Sequence, residues 1–213
     1  MQTSSTRPVS LSIISLSLAG LLCATGTNAQ ASPSPSRDRP LTAAPQLSIS
    51  GAFTTSLSIG ETPKLVIDGP LDAVIVEADD HHIAISRAPG SRGEVKLRVV
   101  LKALDELELS GAQDLRASAL NGKHLDLKFS GATKAVFAGN YETLDIELSG
   151  ASKLDASELT ARSVKVEMSG ASKADLNATE TLRVKASGAS KVRYRGGANV
   201  ETDVSGVASI RRI

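Results

Sequence analysis

The residues equipped to do chemistry stand at fixed distances from a serine that recurs along the second half of the chain. Four residues past it lie Asp114, Lys134, Lys153, Lys173 and Lys191, and two further on lie Arg116, Val136, Asp155, Asp175, Arg193 and Arg211. Lys153 with Asp155 and Lys173 with Asp175 form the kind of cluster that enzymes acting on acidic polysaccharides gather on one outer sheet. The same residues have a plainer role. A column of stacked lysines repels itself, and acids beside it offset the repulsion by roughly a few tenths of a kcal/mol per exposed pair.

Toward the C-terminus the balance changes. Lys191, Arg193, Arg195, Arg211 and Arg212 accumulate with no acid in their columns except Asp175, one repeat back. This patch suits an anionic envelope sugar or lipid headgroup. Charged side chains on a terminal strand also keep foreign strands from pairing with an open edge. His81-His82 after Asp79-Asp80 offers metal-ligating types, but adjacent strand residues point to opposite faces, so the four read as a solvated turn. His124, beside the Asn121-Gly122 turn, reads as a surface residue. No GxSxG elbow, HExxH helix or phosphate-binding loop occurs, and no cofactor or metal is expected. Aromatics are limited to Phe53, Phe129, Phe137, Tyr141 and Tyr194. That scarcity weakens both a glycosidase and a lectin, since sugar grooves usually stack rings on aromatic faces.

The elements that position these residues come from one repeated phrase. Ser110-Gly111-Ala112 recurs at Ser130, Ser149, Ser169 and Ser187 and ends as Ser205-Gly206-Val207, with steps of 20, 19, 20, 18 and 18 residues. A fixed period near this length marks a solenoid, because one unit cannot bury its own apolar face. Ahead of each serine the chain alternates, as in Leu125, Leu127, Phe129 against Asp126 and Lys128, or Val164, Val166, Met168 against Lys165 and Glu167. Such alternation is a strand with one buried and one wet face. The glycine admits φ > 0 and turns the corner, which makes Gly111, Gly131, Gly150, Gly170, Gly188 and Gly206 structural positions. A second short alternation follows, with Leu115 and Ala117, Ala135 and Phe137, Leu154 and Ala156. Strand, corner, strand and return predict an all-β, right-handed parallel β-helix with coils of about 18–20 residues, six of them making a rod on the order of 30 Å long. Ser149, Ser169 and Ser187 are expected to stack and pass hydroxyl hydrogen bonds between coils.

Residues 1–29 read as a secretory signal: Arg7 precedes an apolar run from Val9 to Cys23, and small residues permit cleavage near Ala29 or Ala31. Cleavage removes the single cysteine, so the exported chain has no disulfide chemistry. It also removes Arg7, leaving lysines and arginines equal in number to the 23 aspartates and glutamates. A balanced charge argues against general polyanion binding, which needs a clear basic excess, so no nucleic-acid partner is expected, and no transmembrane segment is expected in the mature chain. Residues 30–45 are rich in Pro, Ser and Ala and read as a flexible linker. Strands are predicted at Leu47–Ser50, Ser56–Ile59, Lys64–Asp68, Ala73–Glu77, His82–Ser86 and Val95–Leu101, forming irregular opening coils over 46–103 ahead of the regular repeats over 104–213. A separate small β-domain over 46–103 is the alternative.

The serial corners in FSGATK, LSGASK, MSGASK and ASGASK, with the closing YRGGANVETDVSGVASI, resemble the family of auto-transporter adhesin head GIN domains from about Gln46 to Ile213. The resemblance implies a right-handed parallel β-helix in an exported bacterial protein and, from the family's name, adhesion. No long C-terminal run of alternating strands is present to form a membrane barrel. Two functions are carried forward. One is a non-enzymatic envelope protein, periplasmic or at the cell surface, whose rigid surface binds an anionic envelope glycan, a lipid headgroup or a protein partner. The other is a polysaccharide-acting lyase or hydrolase using Lys153, Asp155, Lys173 and Asp175. A catalytic site should interrupt the repeat with a long loop walling a cleft, and the serine spacing shows none.

Overall fold

A computed structural model describes residues 37–213, so the expected signal, its cleavage site and residues 30–36 lie outside the described residues. Twelve strands join in one open, mixed sheet. In chain order they are β1 (Arg37–Pro40), β2 (Gln46–Ile59), β3 (Lys64–Asp68), β4 (Val74–Ala78), β5 (His82–Arg87), β6 (Lys96–Leu101), β7 (Glu106–Leu148), β8 (Lys153–Met168), β9 (Lys173–Gly188), β10 (Lys191–Arg195), β11 (Asn199–Gly206) and β12 (Ser209–Arg212). The one helical turn among the described residues is a 3-10 turn at Leu71–Ala73.

The alternation in the sequence becomes the burial pattern. Along β8 the inward residues Leu154, Ala156, Val164, Val166 and Met168 are buried while Lys153, Lys165 and Glu158 are exposed. Each buried Leu or Val contributes about 1.5–3 kcal/mol through apolar area removed from water. Because successive repeats pair parallel and in register, their inward residues stack: Leu144 pairs with Val164, Val164 with Leu182, Ile146 with Val166 and Val166 with Val184. β7 carries two repeats in one strand, tied together by the Asp126 N–H donating to the Asp105 carbonyl. Inside it, Phe129 and Phe137 stack with ring centroids 6.1 Å apart. Tyr141 spans neighbouring repeats, donating its hydroxyl to the Leu104 carbonyl at 2.8 Å, and burial pushes its phenol up to about 12.

The opening region departs from the expected order in two ways. First, β2 lies between β7 on one side and β5 with β6 on the other, so the outermost parallel layer is built from residues 82–101 although they come later in sequence. Ser50-Gly51-Ala52 pairs residue for residue with Ser110-Gly111-Ala112. Second, pairing is not parallel throughout. β3 runs antiparallel on β6, β1 antiparallel on β3, and β4 antiparallel on β5. These short strands cover the edge that a parallel stack would leave open.

The linker expected over 30–45 is ordered from Arg37 onward. β1 occupies its middle, Ala44 is fully buried, and the Pro45 carbonyl accepts the Asp105 N–H at 2.8 Å. In the outermost layer Arg87 takes the place of a corner glycine. Its guanidinium donates to the carbonyls of Ala52 (2.8 Å) and Gly93 and to the Ser91 hydroxyl, and lies 5.8 Å from the Phe53 ring centre.

Candidate functional site

The corner divides every regular repeat into two outer faces, and its geometry demands glycine twice over. Gly150 and Gly170 have φ of 81° and 84°. The carbonyl of Gly150 accepts the Ala171 N–H of the next repeat at 2.9 Å, and a Cβ on Gly170 would stand 2.6 Å from that same carbonyl oxygen. A side chain would be both strained and driven into backbone. Gly51, Gly111, Gly131, Gly188 and Gly206 complete this column, each beside its neighbour's backbone.

Three residues past the corner serine lies a second column, which the sequence reading did not single out: Gln113, Thr133, Ser152, Ser172 and Ser190, all buried. Ser152 and Ser190 donate to the carbonyls of Ser149 and Ser187, both at 3.1 Å, and Gln113 donates to Gly51 and Ser110. Gln113, Ser152, Ser172 and Ser190 thus satisfy carbonyls at the bend that would otherwise face an apolar interior, while the Thr133 hydroxyl has no partner among the described residues. Their signal was present in the sequence, where a polar residue follows each SGA from Ser110 to Ala189, though Phe53 follows the first, Ser50-Gly51-Ala52. The corner serines themselves bond to backbone, Ser149 to the Phe129 carbonyl and Ser187 to that of Met168, rather than to one another as expected.

The two outer faces differ in charge. Ahead of the corner, in-register pairing aligns Glu106, Glu108, Asp126, Asp145, Glu147, Glu167, Glu201 and Asp203 with only Lys128, Lys165, Arg183 and Lys185 as counterweights. Past the corner the order is Lys134, Lys153, Lys173 and Lys191 in one column. The next holds Asp155, Asp175, Arg193 and Arg211. Lys96, Arg98 and Arg116 extend the same columns through β2 toward the outermost layer. A chain of nearly balanced charge thus carries one acidic face and one basic face.

The proposed catalytic pairs do not behave alike. Asp155 accepts hydrogen bonds from the Ser157 N–H (3.2 Å) and hydroxyl (2.6 Å), holding a local turn where the β7–β8 and β8–β9 registers shift. Asp175, only 4% exposed, is clasped by Arg193 through Nε at 2.6 Å and through Nη2, with Lys173 Nζ at 3.4 Å. The Arg193 guanidinium, with burial opposing it and the Lys173 charge assisting, holds the Asp175 carboxyl below the usual carboxylate range.

The C-terminal patch is likewise divided. Arg193 is engaged by Asp175, and Arg211 stacks directly on Arg193. Lys191 lies over Lys173, and Arg195 over Asn177. Arg212 pairs with Tyr194 and so points to the opposite side from Arg211, because alternate strand residues face opposite ways. The five residues therefore do not form one surface as the sequence suggested. Lys191, Arg195 and Arg211 are exposed on the basic face.

The His81-His82 segment forms a turn organised by Asp79, whose Oδ1 accepts both backbone N–H groups at 2.8 Å; these bonds hold its carboxyl below the usual range. His124 Nδ1 lies 2.9 Å from the Thr143 hydroxyl one repeat on, a partner not visible from local sequence.

The described residues form an all-β fold of stacked, in-register repeats with charge-segregated outer faces. Residues 45–198 match the family described as "Putative auto-transporter adhesin, head GIN domain", and the chain belongs to that family. A solved structure of a putative adhesin from Bacteroides fragilis shares the fold with a TM-score of 0.67 at 16% identity, over 84% of this chain and 96% of that one. A putative lipid binding protein from Parabacteroides distasonis gives a TM-score of 0.49 at 13% identity, over 86% and 98% of the two chains. A putative adhesin from the same species gives 0.48 at 16% identity, over 84% and 96%. No curated protein matches the chain.

Proposed function

We propose that the chain is an exported, non-enzymatic binding protein of the bacterial envelope, periplasmic or on the cell surface, that holds an anionic glycan or lipid headgroup on its basic face. The observation that carries this reading is the in-register column Lys134, Lys153, Lys173 and Lys191, flanked by Arg211. Of these, Lys134 lies 3.8 Å from Asp114 and Lys173 3.4 Å from Asp175, while Lys153, Lys191 and Arg211 have no ion-pair partner among the described residues. Open cations on a rigid sheet, repeated at the inter-strand distance of about 4.8 Å, attract a ligand with repeated negative charge. As scaffold we propose the right-handed parallel β-helix, which the stacked corners favour. Family membership supports export and adhesion. The enzyme alternative loses support from its own residues, since Asp155 and Asp175 are both engaged in local bonds.

The test is an array of acidic and neutral glycans and envelope-lipid headgroups, probed with the purified mature chain at low and high salt. Binding confined to anionic ligands and weakened by salt supports the reading. Salt-indifferent binding, or none to any anion, overturns it, and the search then passes to protein partners.

A further inference from the structure

On the opposite, acidic face a groove of about 490 Å³ runs along the stack. From Glu108 to Asp203 it crosses five inter-layer steps, about 24 Å at the usual strand spacing. It is lined by the corner serines and the outward residues two positions before them, and beneath these by the strand at Phe129, Leu148 and Met168, whose side chains are buried in the core. Of the carboxylates on this face, Glu106, Asp126, Glu167 and Glu201 are ion-paired and Asp145 lies 4.0 Å from His124, whereas Glu108, Glu147 and Asp203 have no ion-pair partner among the described residues; these three line the groove, as does the paired Glu167. Ser130, Ser169 and Ser205 are exposed in the same groove.

We infer that this groove is a second ligand site, for a linear neutral polysaccharide lying along the stack. The lining supplies acceptors (open carboxylates), donors (Lys128 and Lys185) and hydroxyls that serve as either, repeated once per layer. A polyol offers both a donor and an acceptor at every hydroxyl, and one layer is close to the length of one sugar ring. A polyanion is repelled by the carboxylates, and a polycation meets the two lysines. This site stands independently of the basic face, and nothing in it calls for bond cleavage.

Calorimetry with neutral gluco-oligosaccharides of increasing length tests it, beside proton–nitrogen correlation spectra to map the contact. Affinity should rise with length until the groove is spanned, be insensitive to salt, and shift amide signals around Glu147 and Ser169. The triple variant E108A/E147A/D203A changes only solvated side chains and should weaken binding about tenfold or more, since bonds to charged acceptors are lost. S169F, which fills the groove at mid-length, should abolish it, with an unchanged melting profile confirming that each variant is folded. Absence of binding by any neutral oligosaccharide overturns the inference. So does binding that survives both variants, or that is lost when Lys153 and Lys191 are replaced instead.

Discussion

The two outer faces are made by the same repeats, from strands separated only by a Ser-Gly-Ala corner, yet they carry opposite charge. Inward positions on both sides of the corner are constrained alike, because Leu154 and Val164 enter one core. Outward positions face water and are free to be set separately, column by column. In-register parallel stacking turns each such choice into a line of like or alternating groups along the molecule. The difference teaches that, in this fold, repetition fixes the scaffold, while surface charge is written in columns that the fold leaves open.

The strongest way to break the comparison is to break the corner that keeps the faces apart. Gly170→Ala should cost about 3 kcal/mol, because the new Cβ meets positive φ and the Gly150 carbonyl together. This exceeds the roughly 1 kcal/mol that φ alone would impose. Thermal unfolding checks it, and an unchanged Tm would contradict the corner geometry.

Next in size is the buried acid of the basic face. Asp175→Ala should cost about 2 kcal/mol by leaving Arg193 beneath Arg211 without its partner. The same residue gives a pH signature. Its folded pKa is depressed, so its contribution is complete above the unfolded value of about 3.9 and lost as pH falls through the lower folded value. Denaturant midpoints should therefore fall in acid, and Asp175→Asn should remove part of that fall.

A smaller effect is expected inside the bend. Ser190→Ala removes the bond to the part-buried Ser187 carbonyl and should cost about 1 kcal/mol, read from the denaturation midpoint. Smallest of all, Lys165→Ala on the acidic face removes an exposed pair with Glu167, 3.0 Å long, and should leave Tm unchanged.

Much of the scaffold was legible. The alternation around Val164 and the serine spacing predict strands, corners and parallel pairing, since a two-residue period and a fixed repeat leave few other arrangements. The strands at Lys64–Asp68 and His82–Ser86 were also readable from local pattern. Their pairing was not: nothing local to 46–101 states that β2 inserts between β6 and β7, or that β3 closes the edge antiparallel. These are long-range contacts without a repeated phrase to set the register. At the candidate site, the lysine column was legible from spacing alone. The adjacency of Asp175 and Arg193 was legible as well, since both stand six residues past a corner serine; the two-point clasp that takes Arg193 out of the open patch was not, because side-chain geometry is not written in spacing. Arg212 was misassigned because a one-residue offset in a strand reverses the face.

The most direct test of the account compares matched changes on the two faces. Binding of an acidic oligosaccharide would be measured against salt for the parent chain, for K153S/K191S/R211S on the basic face, and for E108A/E147A/D203A on the acidic face. The account predicts salt-sensitive binding by the parent, loss in the basic-face variant, and retention or tightening in the acidic-face variant. Equal loss in both variants, or binding indifferent to salt, would contradict it.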